Sequence, residues 1–252
     1  VVKTSNIERN TAWYIFHGQI ANNLGQSVLS EFFAIGLKED GTFIRWGKTP
    51  EDDPSYSPIG PEIADIEITT SCNGINGKLC KFCYKGNSSN GTFMSLETFK
   101  KVFDRLPKTL TQIAFGVDSQ CSTNPDVWDI MKYCRANGVI PNVTVANIDY
   151  QTAVLLAIHC GAVAVSRYDD KNVCYDSVNL LTKCAKDGAS CLRQVNIHHM
   201  ISEETYDQCI ETLNDKLTDP RLRELNAIVL LSLKQKGRGF NHTPLGFDKF
   251  KN

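Results

Sequence analysis

The chain predicts an α/β fold built on a parallel sheet, preceded by a small N-terminal β-hairpin region. Three observations lead there. Short apolar runs alternate with helix-patterned segments from about residue 61 onward. Those runs are apolar almost throughout, as strands covered on both faces are. A proline-rich stretch with Pro50, Pro54, Pro58 and Pro61 separates this part from the first sixty residues. The division is therefore 1–60, hairpin region and connector, and 61–252, the α/β domain.

In the first part, residues 11–20, 30–37 and 41–46 read as strands, with Lys38-Glu39-Asp40-Gly41 as a hairpin turn between the last two. In the second, residues 63–69 form the first strand and open into a loop rich in Gly, Asn and Lys. Ser95 caps a helix running to Leu106, with Leu96, Phe99, Val102 and Phe103 at helical spacing. Ile113–Gly116 is the second strand, and Asn124-Pro125-Asp126 opens the second helix. Val143–Val145 is the third strand, followed by a helix from Tyr150 to Cys160. Ala162–Ser166 is the fourth, with a helix reaching Lys186. Leu192–His199 is the fifth, with a helix starting at Ser202-Glu203-Glu204, and Ala227–Leu233 is the sixth.

Composition narrows the function classes. With 27 basic and 28 acidic residues the net charge is −1, so there is no basic field for nonspecific nucleic-acid binding. The longest apolar runs, such as Ala153–Ile158, fall far below the ~20 residues of a membrane span. The chain opens Val1-Val2, which reads as a fragment or a trimmed chain, and a C-terminal extension beyond Gly237-Arg238-Gly239 is expected. Ten cysteines in a chain this long, with regular α/β patterning, fit buried thiols in a reducing cytoplasm better than a secreted disulfide scaffold.

Three of those cysteines stand apart. Cys72, Cys80 and Cys83 are grouped directly after the first strand of the second part. Thiolates are soft ligands that select zinc, copper(I) or iron–sulfur clusters. Three thiols leave a bound metal one open position, as reactive sites have and structural sites lack. A closed zinc site would need a fourth ligand, and neither His nor another Cys lies nearby; the next is Cys121. A thioredoxin-like redox pair would place Cys-x-x-Cys at a helix start, whereas Tyr84-Lys85-Gly86-Asn87 reads as loop.

A cysteine loop after the first strand of a parallel α/β fold, ending Cys80-Lys81-Phe82-Cys83, resembles the radical S-adenosylmethionine superfamily. That family usually has three residues between its first two cysteines and two between the last pair. Here the second gap is kept, while seven residues separate Cys72 from Cys80, giving C-x7-C-x2-C. The resemblance implies a partial (β/α)6 TIM-like barrel with its chemistry at the C-terminal strand ends. It implies a [4Fe–4S] cluster on Cys72, Cys80 and Cys83, with S-adenosylmethionine bound to the fourth iron. It also implies reductive cleavage to a 5′-deoxyadenosyl radical that abstracts hydrogen from a substrate. The substrate stays open between a peptide or protein, a nucleobase and a small molecule, and an electron donor such as flavodoxin or ferredoxin is expected.

The resemblance also suggests cofactor contacts. Phe82 would pack near the adenine. Gly116 would allow close backbone approach, and Asp118 would hold the methionine ammonium; an ordinary turn with a solvated Asp is the other reading. At the fourth strand's end, Arg167, beside Ser166, would grip the methionine carboxylate, unless it is a surface arginine. Asn196 and His198 alternate on the fifth strand and share one face, so both turn into the barrel if Val195, Ile197 and His199 face the helices. Gly237-Arg238-Gly239 would bind an anion or the substrate. The competing reading of the whole chain is a non-enzymatic binding module stapled by zinc or a cluster.

Overall fold

The computed structural model describes residues 61–251, Thr49, and the backbone of four N-terminal strands: β1 (Val2–Arg9), β2 (Trp13–Ile20), β3 (Ser30–Leu37) and β4 (Phe43–Gly47). Their backbones pair antiparallel in the order β1-β2-β3-β4. Strand β1 was not anticipated from the sequence. The turn at Lys38-Glu39-Asp40-Gly41 and the proline-rich stretch to Gly60 lie outside the described residues.

The second part is an α/β half-barrel. Its strands are β5 (Ile63–Glu67), β6 (Gln112–Gly116), β7 (Ile140–Val145), β8 (Ala162–Arg167), β9 (Gln194–Ile201) and β10 (Ala227–Ser232). They form one parallel sheet in the spatial order β10-β9-β8-β7-β6-β5, curled into a half-barrel. Between them run α1 (Leu96–Phe103), α2 (Val127–Ala136), α3 (Tyr150–His159), α4 (Lys171–Cys184) and α5 (Tyr206–Thr218); α6 (Phe247–Lys251) follows the sheet. All six anticipated βα positions are occupied by strands. Strand β7 starts three residues earlier than expected, at Ile140, and includes Pro141. Helix α5 starts at Tyr206, since Ser202 and Thr205 form a capping turn in which the Thr205 hydroxyl accepts from the Ser202 amide at 2.9 Å.

The sheet has two chemically different faces. Toward the helices it presents Ile113, Phe115, Val143, Val145, Val163, Val165, Val195 and Ile197, all buried and packed against Phe99, Ile130, Met131, Leu156, Val178 and Leu181. Strand periodicity puts the alternate residues on the concave side: Asp65 and Glu67, Gln112, Asn142 and Thr144, Ser166, and Gln194, Asn196 and His198. Small residues, Ala114, Gly116, Ala162 and Ala164, sit among them and leave room above the sheet. Several of these polar groups satisfy one another. Asn142 donates to Gln112 Oε1 at 2.7 Å, and Thr144 Oγ1 lies 3.3 Å from His198 Nδ1.

Buried asparagine joins the first two βα units. Asn124, 2% exposed, donates to the carbonyls of Ile68 at 2.8 Å and Met94 at 3.0 Å and accepts from the Asp126 amide at 2.9 Å. Asp126 in turn accepts from the Leu96 amide at 2.8 Å, so a residue at the start of α2 caps α1. Among the described residues no helix is long and apolar enough to cross a membrane.

Candidate functional site

The cysteine loop is a closed excursion from the C-terminal end of β5. The chain leaves at Thr69 and returns at Phe93, where the two residues form an antiparallel bridge. A second bridge, Ser71 with Ser88, narrows the neck, and the Met94 amide donates to Ile68 O at 2.8 Å. Such a neck lets 23 residues stand over the sheet without disturbing the βα step below it.

The long gap between the first two cysteines has a local explanation. Ile75 and Lys78 exchange two backbone hydrogen bonds of 2.9 Å each, closing a tight turn. Its central residues, Asn76 at φ 50° and Gly77 at φ 76°, are both left-handed, as a mirror-image turn requires. The four-residue turn returns the chain beside its starting point. Gly74, at φ 70°, closes the base: a Cβ there would lie 2.0 Å from the Lys78 carbonyl oxygen.

The three thiols are free and partly exposed. The Gly74 amide donates to Cys72 Sγ at 3.3 Å. Burial raises the Cys80 thiol above its ordinary value, opposed by a hydrogen bond from Tyr168; charge on Cys83 and on Cys72 raises it further, and Arg238 lowers it. No group of three His, Cys, Asp or Glu side chains is drawn together in metal-binding geometry among the described residues. The donor set nonetheless suits a thiophilic centre: three thiols outside any disulfide stand on one loop, and a backbone amide is turned toward the first of them. The other seven cysteines are scattered, and six of them are buried. Burial pushes Cys134 and Cys160 up to about 12, which leaves them inert.

Neighbouring loops fasten this one to the sheet. After β6, Ser119 donates to Gly74 O at 2.5 Å and Thr123 to Ser71 O at 3.1 Å. After β7, Asn147 donates to Asn76 Oδ1 at 3.2 Å. After β10, Arg238 donates through Nε to Cys80 O at 2.8 Å and through Nη1 to Asn87 O at 3.0 Å, and its amide donates to Cys83 O at 3.0 Å. Lys234 stacks its ammonium 4.3 Å from the Tyr84 ring centre. Gly237-Arg238-Gly239, expected to bind an anion or the substrate, therefore spends its donors on the cysteine loop.

A cavity of about 300 Å³ lies between the loop and the β8–α4 connection. Its wall includes Cys80, Phe82, Ser166 and Tyr168. Phe82 and Tyr168 pack with their rings tilted by 33° and their centres 5.2 Å apart, and His242 meets Phe82 edge-on at 5.9 Å. Tyr168 is tied to both Ser166 and Cys80, and burial pushes its phenol well above the usual tyrosine range.

Other expected cofactor contacts divide. Asn196 and His198 face the concavity, as their alternation predicted, and burial lowers the His198 imidazole. Gly116 also lies there, but what approaches it is Lys85: a Cβ would stand 2.6 Å from Lys85 Nζ and 3.0 Å from Glu67 Cα. Lys85 and Glu67 form an ion pair of 2.9 Å, and Asn87 adds a 3.2 Å hydrogen bond to Glu67.

Asp118 is 4% exposed and turned into its own loop. It accepts from the amides of Gln120, Ser122 and Thr123 and from the hydroxyls of Ser122 and Thr123, at 2.9–3.3 Å. A carboxylate so occupied organises the loop and has no lone pair left for an ammonium ligand.

Arg167 points away from the concavity. It shares the parity of Val163 and Val165, is 3% exposed, and reaches Glu211 on α5 at 3.1 Å. Two reasons for its misassignment are visible: the strand runs one residue further than expected, and the inward position is Ser166. Residues that sequence reasoning missed are Tyr168, Lys85 and the Gln112–Asn142–Thr144 layer, and Arg238 was expected at an anion or the substrate, not on the loop. The layer was detectable, because Asn142 and Thr144 are polar at alternate positions of an otherwise apolar strand. No protein-family model and no curated protein matches the chain.

Proposed function

We propose that the chain is a radical S-adenosylmethionine enzyme whose cluster is held by Cys72, Cys80 and Cys83. The observation that carries this reading is the placement of three free thiols on one fastened loop at the C-terminal end of the first strand of a parallel half-barrel, beside a polar concavity. Parallel barrels place their chemistry at that end. A [4Fe–4S] cluster supplies, when bound, the electron that breaks the sulfonium C–S bond of S-adenosylmethionine and yields methionine and a 5′-deoxyadenosyl radical.

The chain's own residues take the remaining roles. Phe82 and Tyr168 offer flat apolar surface beside Cys80, suited to an adenine ring. Asn196, His198 and Ser166 present donors and acceptors on the concave face for the polar end of the cofactor. A reactive radical requires shielding from bulk water, and Phe82 and Tyr168 on the cavity wall would contribute to it. Arg167 and Asp118 take no part in binding. The substrate is a molecule with an abstractable hydrogen, drawn from peptides, nucleobases or small metabolites, and a flavodoxin or ferredoxin is the expected reductant.

Anaerobic reconstitution with iron and sulfide tests the reading. Expected are about four irons per chain, a reduced-state paramagnetic signal that changes on adding S-adenosylmethionine, and 5′-deoxyadenosine on addition of dithionite. A colourless zinc protein that leaves S-adenosylmethionine intact would overturn it in favour of a stapled binding module.

A further inference from the structure

We propose that Arg238 is a positioning residue that clamps the cysteine loop closed from the far end of the half-barrel and thereby sets its affinity for metal. The clamp is a feature of the chain; its consequence for metal rests on the reading of Cys72, Cys80 and Cys83 as ligands.

The geometry is specific. One guanidinium bridges two carbonyls, Cys80 O at 2.8 Å and Asn87 O at 3.0 Å, and the same residue's amide takes Cys83 O at 3.0 Å. These three acceptors bracket the Cys-x-x-Cys segment. Without Arg238 the described contacts on residues 80–87 from other segments are the Lys85 and Asn87 contacts to Glu67, an ion pair of Lys81 with Asp169, and ring contacts at Phe82 and Tyr84, together with what Tyr168 gives Cys80. None of those holds a backbone carbonyl.

Both glycines around Arg238 are required for the approach. Gly237 has φ 54°, and a Cβ on it would lie 2.7 Å from Cys83 O and from Tyr84 O. A Cβ on Gly239 would lie 2.6 Å from Lys234 O and 3.1 Å from Phe82 O. The tripeptide is shaped to lie against the loop and present the planar fork of an arginine, which a lysine ammonium cannot replace. Groups that orient ligands in this way typically alter metal affinity by about 10–100-fold.

The test uses the full chain, reduced and metal-free, in three forms: wild type, Arg238→Lys and Arg238→Ala. Maleimide modification of each cysteine is followed by peptide mass spectrometry, and cobalt(II) alone is titrated by its thiolate charge-transfer absorption. In Arg238→Ala, Cys83 should react about tenfold faster, the change that one or two lost hydrogen bonds produce. Cys191, partly exposed and outside the cysteine loop, should keep its rate. Cobalt should bind about 10–100-fold more weakly, and Arg238→Lys should restore neither property. Unchanged labelling in Arg238→Ala overturns the clamp, as does full recovery by lysine. If buried Cys134 and Cys160 label as fast as Cys83 in both variants, the effect is global unfolding and local positioning is refuted. Selective acceleration in a chain whose wild type binds no cobalt or iron would keep the clamp and sink the enzymatic reading.

Discussion

Replacing either partner of the Arg167–Glu211 pair should have unequal effects. Arg167 has a side chain only 1% exposed, while that of Glu211 is 42% exposed and also bonds Lys171 at 2.8 Å. In Glu211→Gln the guanidinium stays buried and loses its counterion. Uncompensated buried charges cost about 3–5 kcal/mol, and water reaching the Glu211 end favours the lower figure, about 3 kcal/mol. In Arg167→Met, Glu211 keeps Lys171 and its access to water. The variant loses one charge-assisted hydrogen bond, about 1.5–3 kcal/mol. It also removes Nε and Nη1, both buried with no hydrogen-bond partner, which relieves about as much again. The net change should therefore lie within about 1 kcal/mol of zero. Urea unfolding with a common m-value measures both. A methionine variant as destabilised as the glutamine one would refute the reasoning. A loss of S-adenosylmethionine affinity in Arg167→Met at unchanged iron content would return Arg167 to the cofactor.

Cys72→Ala, Cys80→Ala and Cys83→Ala should each reduce reconstituted iron to background, whereas Cys209→Ala should keep wild-type iron content; iron analysis decides, and an intact cluster in Cys80→Ala would end the ligand assignment. Asn124→Ala should cost about 2 kcal/mol, because it takes the side-chain partner from the Met94 carbonyl and the Asp126 amide and one of two partners from the Ile68 carbonyl; a loss below about 1 kcal/mol by urea unfolding contradicts the role given to it. His199, 1% exposed, is held below its ordinary value chiefly by burial, with Arg167 adding to the depression and a backbone hydrogen bond at Met200 opposing it. The unfolded chain therefore takes up this proton first as pH falls, so stability should drop as pH falls below about 6.5. His199→Gln should flatten that drop, and an unchanged pH profile of the unfolding free energy would show that His199 does not contribute.

Strand order and the cysteine loop were legible because they depend on short-range signals. Ala162–Ser166 is a largely apolar run whose valines are covered by helices, whereas Ala227–Leu233, equally apolar, forms the edge strand β10 and stays mostly exposed. Asn196 and His198 were assigned to the concavity correctly because strand alternation is rigid, so one apolar neighbour, Val195 or Ile197, fixes the side of both. Arg167 failed for the same reason in reverse: it was placed just past the strand end, where alternation does not apply, yet it is still the last residue of β8. Asp118 and Arg238 could not be assigned from sequence. Asp118 is occupied by residues two to five positions on, in a loop with no periodicity. Arg238 meets partners more than 150 residues away, a distance at which spacing carries no information.

That separation also orders events during biogenesis. Cys80 and Arg238 are 158 residues apart, so the bracket around Cys80–Cys83 cannot form until β10 has joined the sheet edge and its following turn has been made. A partly synthesised chain carries the thiols on an open loop, exposed to oxidants and to stray zinc. Parallel pairing of distant segments is slow relative to local helix formation, which lengthens this vulnerable interval. The last strand of the sheet thus acts as a checkpoint on the loop: whatever binds the thiols after β10 has docked meets a bracketed segment, and whatever arrives earlier meets one held without Arg238.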